Sequence, residues 1–198
     1  MPDKLLLSVL FALAVPAVAA QGIDVNALTE QQVTMVDQSK ADQAGKTFLA
    51  ATLMNAPVQK VCAVIQNYAD YPSFMPNVAK VKVATTGDDS PVLDMTLHLP
   101  LGKVKKYRLK MTPRQGAQQC QLSWKMLQWE GLKADETIAD TSGYWLITPS
   151  AANPAKTVVK YFVFTDPGPV PMGLGWIVDS LSKDSIPKML DALRNKLK

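Results

Sequence analysis

The chain has 198 residues, of which 47% are hydrophobic and 19% charged, with a formal net charge of +4. That composition excludes a disordered polymer, and the mild basicity permits attraction to anionic lipid while falling short of a nucleic-acid-binding signature. With only two cysteines and one histidine, the chain is no disulfide-rich scaffold and offers no pair of His or Cys residues at metal-ligand spacing.

The first twenty residues combine Lys4, an apolar run from Leu5 to Val15, and the small-residue stretch Ala17-Val18-Ala19-Ala20 before Gln21. This is the tripartite pattern of a cleavable signal peptide, with cleavage expected near Ala19 to Gln21. The run is shorter than the roughly 18 residues of a membrane-spanning helix, and no later segment reaches that length. The expectation is a soluble periplasmic or secreted protein. No cysteine stands near the cleavage point to take a lipid anchor. Removing the signal leaves about 178 residues, enough for one domain with a real core.

Residues 21–45 read as a polar lead-in, partly helical, and the folded domain is expected to span 46–198. Thr47 to Met54 is β-compatible and ends at the turn signal Asn55-Ala56-Pro57. Val58, Val61, Cys62 and Ile65 then fall on one helical face, predicting a helix over about 57–67. The two prolines in Asp70 to Pro76 predict a short helical turn and a change of direction. From Val78 to Asp166 the period becomes two. Leu93, Met95, Leu97 and Leu99 alternate with polar residues, as do Tyr107, Leu109 and Met111, and then Leu122, Trp124 and Met126. Two more apolar runs, Tyr144 to Ile147 and Val158 to Phe164, complete an antiparallel meander with one dry face. After the Pro- and Gly-rich break Asp166 to Pro171, a stripe from Leu174 to Leu197 predicts a long amphipathic helix, kinked or divided by Pro187 near Asp184 to Ile186.

One strand, two short helices, six strands and a closing helix make a helix-grip arrangement. The phrase Tyr68-Ala69-Asp70-Tyr71-Pro72-Ser73-Phe74-Met75-Pro76, the Ala56-Pro57 to Ile65 helix, Gly143-Tyr144-Trp145, Thr157 to Tyr161 and the Asp166-Pro167-Gly168 to Arg194 ending carry a further likeness. In their order and spacing the chain resembles the START-like (SRPBCC) superfamily, which holds polyketide cyclases, quinone-binding proteins and ribosome-associated toxins. The resemblance implies an α+β fold, a curved antiparallel seven-stranded sheet wrapped around a long C-terminal helix, with an internal cavity for a hydrophobic ligand.

Catalytic chemistry finds little support in the residues. His98 falls on the polar side of its strand, where an exposed histidine with no triad role is the expectation. The glycines of residues 168–175 are interleaved with prolines and read as a hinge rather than a phosphate cradle. By contrast, large soft apolar residues are abundant on the inward strand faces. They either fill a core or line a cavity, and the resemblance favours the cavity. The expected ligand-binding residues are Phe74, Met95, Leu97, Tyr107, Leu109, Met111, Leu122, Trp124, Met126, Trp145, Tyr161, Trp176 and Leu181. Tyr107 and Tyr161 are the polar handles among them.

The basic stretch Lys103, Lys105, Lys106, Arg108, Lys110 and Arg114 is either a solvated strand face or a surface for anionic head groups. In the second case the Pro167 to Gly175 loop is the gate, touching lipid through Val170, Met172, Leu174 and Trp176. Cys62 and Cys120 either form a disulfide or stay as two buried thiols. The expected protein is a monomer without cofactor or catalytic activity that binds a hydrophobic small molecule or lipid, touches membranes transiently and takes no nucleic acid. A cyclase or aromatase using the same cavity is the alternative.

Overall fold

A computed structural model describes residues 22–85, 90–169 and 175–198, with the side chains of 175–182 left aside. The segment read as a signal peptide therefore lies outside the described residues, as do Val170, Met172 and Leu174 and the side chains of Trp176 and Leu181.

Eight strands form one antiparallel sheet: β1 (Thr34–Asp37), β2 (Lys46–Met54), β3 (Val78–Thr85), β4 (Pro91–His98), β5 (Val104–Gln115), β6 (Cys120–Leu127), β7 (Asp140–Pro149) and β8 (Thr157–Asp166). Their spatial order is β1-β2-β8-β7-β6-β5-β4-β3. Among the described residues three α-helices accompany them: α1 (Val58–Gln66), α2 (Tyr71–Phe74) and α3 (Gly175–Lys196). The curved sheet around a closing helix is the expected helix grip, with one strand more than the seven read from the sequence.

The additional strand is β1, within the segment read as a polar lead-in. It pairs Thr34 with Ala51 through Asp37 with Phe48. Its short polar sequence suits an edge, where one side of the ladder faces water. Upstream of it, Leu28 packs with Ala51 and Val158, and Thr52 Oγ1 donates toward the carbonyls of Thr29 and Gln32. Leu28 thus covers the face of β2 that is turned away from the helices, while Thr52 ties the lead-in to the alternate face, on which α3 packs.

The helix α1 buries Val58, Val61, Cys62 and Ile65, the face read from their spacing. Cys62 is joined to Cys120 at the start of β6, with α-carbons 6.1 Å apart, so the bridge staples α1 to the sheet. Of the kink or division expected at Pro187, division does not occur: α3 continues through it as one helix. Proline removes a single backbone donor, and flanking contacts hold the turn: Ile186, Leu190 and Leu193 are buried against the sheet. Its C-terminal end is tied down on three sides. Lys60 Nζ donates to the Leu197 carbonyl, Arg194 Nη2 to Thr52 Oγ1 at 2.7 Å, and Lys196 pairs with Asp70 at 2.8 Å.

Side chains fill the interior unevenly. Under the C-terminal half of α3, Met54, Val61, Ile65, Leu122, Ile147, Val159, Leu190 and Leu193 are all but inaccessible to solvent. Under the preceding turns, at Ser185, Ile186 and Met189, the interior opens into a cavity.

Candidate functional site

The cavity has a volume of about 450 Å³. Its walls follow from strand alternation, since inward positions on neighbouring strands stand in register. Leu93, Met95 and Leu97 come from β4, and Tyr107, Leu109 and Met111 from β5. Trp124 of β6, Trp145 of β7 and Tyr161 and Val163 of β8 continue the wall to Phe48 on β2. Ile186 and Met189 roof it.

Aromatic packing sets the shape of the far wall. The Tyr161 ring stacks on Trp124 at 5.5 Å and leans on Trp145 at 4.6 Å. Gly143 makes this possible. A Cβ there would stand 2.4 Å from Cζ2 of Trp124 and 2.2 Å from the Phe162 carbonyl oxygen, so the indole lies where any other residue would put its side chain.

Two phenols bring polarity into this lining. Among the described residues neither the Tyr107 nor the Tyr161 hydroxyl has a hydrogen-bond partner, whereas that of Tyr71, which also borders the cavity, donates to the Ile65 carbonyl. Burial pushes the Tyr107 phenol up to about 12. It raises Tyr161 further above its ordinary value, and the neighbouring Tyr107 adds to the shift. Both remain protonated at neutral pH and can donate a hydrogen bond to an oxygen inside the cavity.

Exposed lining residues mark the opening. Pro100, Leu101, Lys103, Asp135 and Pro169 are exposed and border the cavity. Lys46 and Lys105 stand further in. Lys105 donates to the Thr137 carbonyl at 2.5 Å, and burial lowers its pKa although Asp135 opposes the shift. The basic stretch is therefore split between two faces. Lys103 and Lys105 turn to the opening. On the other face, Arg108 makes a two-pronged pair with Asp94 at 2.6 and 2.9 Å and lies over the Trp129 ring. His98 is exposed at the end of β4, as alternation predicts.

Eight of the expected ligand-binding residues meet in the cavity wall: Met95, Leu97, Tyr107, Leu109, Met111, Trp124, Trp145 and Tyr161. Three do not border it. Phe74 lies half-buried on α2, edge-on to Tyr71 and beneath the Lys196 ammonium, because its helix packs beside α3 rather than under it. Leu122 belongs to the filled part of the interior, opposite Trp145 in register. Met126 has the right parity but lies beyond Lys125 and Ser142, the last pair between β6 and β7, so no wall continues past it. Phe48, Leu93 and Met189 also line the cavity, and alternation or the helical stripe signals them in the sequence. Asp135 and Ile138 line it too, from an irregular loop without a periodic signal in the sequence.

Among the described residues, no three His, Cys, Asp or Glu side chains gather as a metal site, and no helix is long and apolar enough to cross a membrane.

The family model for "polyketide cyclase / dehydrase and lipid transport" matches residues 54–194. The chain belongs to this family. It is a START-like protein, as the helix grip and its sequence phrases imply. Comparison with curated proteins found no match. Among solved structures, a STAR-related lipid transfer protein from Xanthomonas axonopodis is similar at a TM-score of 0.69 and 16% identity, over 83% of this chain and 93% of that one. Human StAR-related lipid transfer protein 5 is similar at 0.70 and 13% identity, over 83% and 81%. An aromatase/cyclase from a Streptomyces species is similar at 0.59 and 11% identity, over 84% and 94%. At these identities the likeness establishes the shared START-like fold.

Proposed function

We propose that this START-like protein holds a hydrophobic molecule, a lipid in the first instance, in the cavity beneath α3 and carries it through water between membranes. The observation behind this reading is the unfilled apolar interior. A well-packed core leaves few voids larger than a water molecule, whereas here a pocket of about 450 Å³ that opens to solvent is lined by aliphatic and aromatic side chains. That volume lies within the range of small-molecule pockets, and an apolar wall with a few polar groups is how such pockets are built. The tethered C-terminal end of α3 fixes one part of the roof, while the opening lies at the other end.

Export fits the same reading. The amino-terminal sequence has the signal-peptide pattern, and the Cys62–Cys120 bridge belongs to an oxidising compartment. An insoluble molecule crosses such a compartment only if shielded. A cyclase would occupy the same cavity, and the Streptomyces relative supports considering it. The ionisable groups deepest in the wall are phenols held protonated by burial, which suits orientation of a ligand better than removal of a proton at neutral pH.

The experiment is native mass spectrometry of the purified mature protein, with extraction and identification of bound lipid. A stoichiometric apolar ligand is expected. An empty protein that takes up no ligand from several lipid extracts would refute the carrier reading. As a second measurement, Trp124→Ala or Trp145→Ala should change ligand uptake more than Lys106→Ala, because the indoles form the wall and Lys106 lies outside it. The reverse ranking would point to surface attraction instead.

A further inference from the structure

We propose that Tyr107 and Tyr161 make the cavity selective for a hydrophobic molecule whose uncharged carbonyl oxygen lies between two apolar parts, as in a ketone or an ester. This deepens the carrier reading and rests on it. Position in the wall comes first. From the opening inward, β5 presents Lys105, Tyr107, Leu109 and Met111 to the cavity. Three antiparallel pairings later, β8 runs the opposite way, so Thr165 and Val163 stand nearer the opening than Tyr161. Both phenols thus lie part-way down an apolar wall. Met95 stands beside Tyr107 in register, and Trp124 and Trp145 hold the Tyr161 ring.

Their hydroxyls have no protein partner among the described residues, and both rings are half-buried with the cavity before them. Tyr71 shows the other outcome for a phenol in the same lining: its hydroxyl is already bonded to the Ile65 carbonyl and asks nothing of a ligand. Tyr107 raises the pKa of Tyr161, so the two groups lie close enough to feel one another. Water satisfies such hydroxyls while the cavity is empty. A ligand that displaces the water without accepting a hydrogen bond forfeits affinity, and a plain hydrocarbon does so. A carbonyl oxygen has two lone pairs and can accept from both phenols.

Charge excludes an ionised acid from this place. The lysines that border the cavity stand toward its opening: Lys103 and Lys105 precede Tyr107, and Lys46 is in register with Thr165 at the outer end of β8. The Lys105 amine is engaged by the Thr137 carbonyl. A carboxylate drawn down to the phenols would leave water for an apolar wall with no cation beside it, a cost that an uncharged carbonyl does not meet.

The test is competition among four probes of one chain length, heptadecane, its mid-chain ketone, octyl octanoate and heptadecanoate, offered to the purified mature protein as cyclodextrin complexes. Native mass spectrometry reads the bound ratios. Relative to wild type, the double variant Tyr107→Phe, Tyr161→Phe should lower the ketone-to-heptadecane and ester-to-heptadecane ratios about tenfold, and each single variant about threefold. Infrared spectroscopy supplies a readout that packing alone does not move. In wild type the carbonyl stretch of the bound ketone should fall below its frequency in hydrocarbon solvent, and in the double variant it should return. Ratios unchanged in the double variant, an unshifted stretch in wild type, or preferred uptake of heptadecanoate overturns the proposal. Uptake of none of the four refutes the carrier reading and this selectivity with it. Uptake of all four in ratios that ignore the phenols keeps the carrier and removes the selectivity alone.

Discussion

Single residues give the cavity its chemistry and its size. Tyr107 ties stability to alkaline pH. In the unfolded chain its phenol ionises near 10, while burial holds the folded one protonated to about 12. Between those values the folded state binds the extra proton, so stability is intact below pH 10 and declines as pH rises through the window. Urea unfolding at pH 8 and pH 11 should show this decline, and Tyr107→Phe should lessen it; an unchanged slope would mean that the phenol is not held in an apolar wall. Gly143 acts through space. Gly143→Ala places a methyl group on the Trp124 indole and the Phe162 carbonyl, and overpacking of this kind costs about 1–3 kcal/mol. The indole lines the cavity, so a shift of its ring changes the wall. The variant is therefore expected to lose ligand capacity more steeply than its fall in melting temperature explains, as read by the ratio of bound lipid to folded protein.

At the scale of elements, the disulfide gives α1 its anchorage. It closes a separation of 58 residues, for which loop entropy alone corresponds to about 4 kcal/mol. Replacing both partners by alanine should lower the urea-unfolding free energy by roughly that amount at most, and a loss below ~1 kcal/mol would show that α1 is held by packing instead. The elements also show why some features are legible in sequence and others are not. Amphipathic repeats give away β4 to β8, α1 and α3, because each repeat reports one buried face. β1 gives no such signal: its four residues have half-buried Met35 and Val36 between exposed ends, and their strand character comes from the β2 edge they pair with. Pro187 is read correctly as a missing donor, but sequence does not show the contacts of Ile186 and Leu190 that keep the helix whole. Inward parity identifies eight wall residues. It cannot say where along a strand the wall ends, which is why Leu122 and Met126 fall outside it.

For the whole molecule, the division of the interior matters more than any one contact. One half is packed and tethered through Lys60, Arg194 and Lys196, and the other stays hollow beside an opening rimmed by lysines and exposed apolar residues. Stability and capacity are thus held in separate regions of one fold. The strand order carries a consequence for how the chain comes into being. β2, the first long strand made, lies between four-residue β1 and β8, and its pairing runs from Lys46 with Thr165 to Met54 with Thr157. No nascent chain can close this sheet before the last strand has been synthesised. Contacts so distant in sequence also slow folding once synthesis is complete. A chain stopped before Thr157 should therefore stay protease-sensitive, whereas one extended through Lys198 becomes resistant. Resistance in the shorter chain would place the folding nucleus in the β3–β7 meander. Late closure keeps the polypeptide threadable for as long as it is being made, the state in which a translocation channel accepts it.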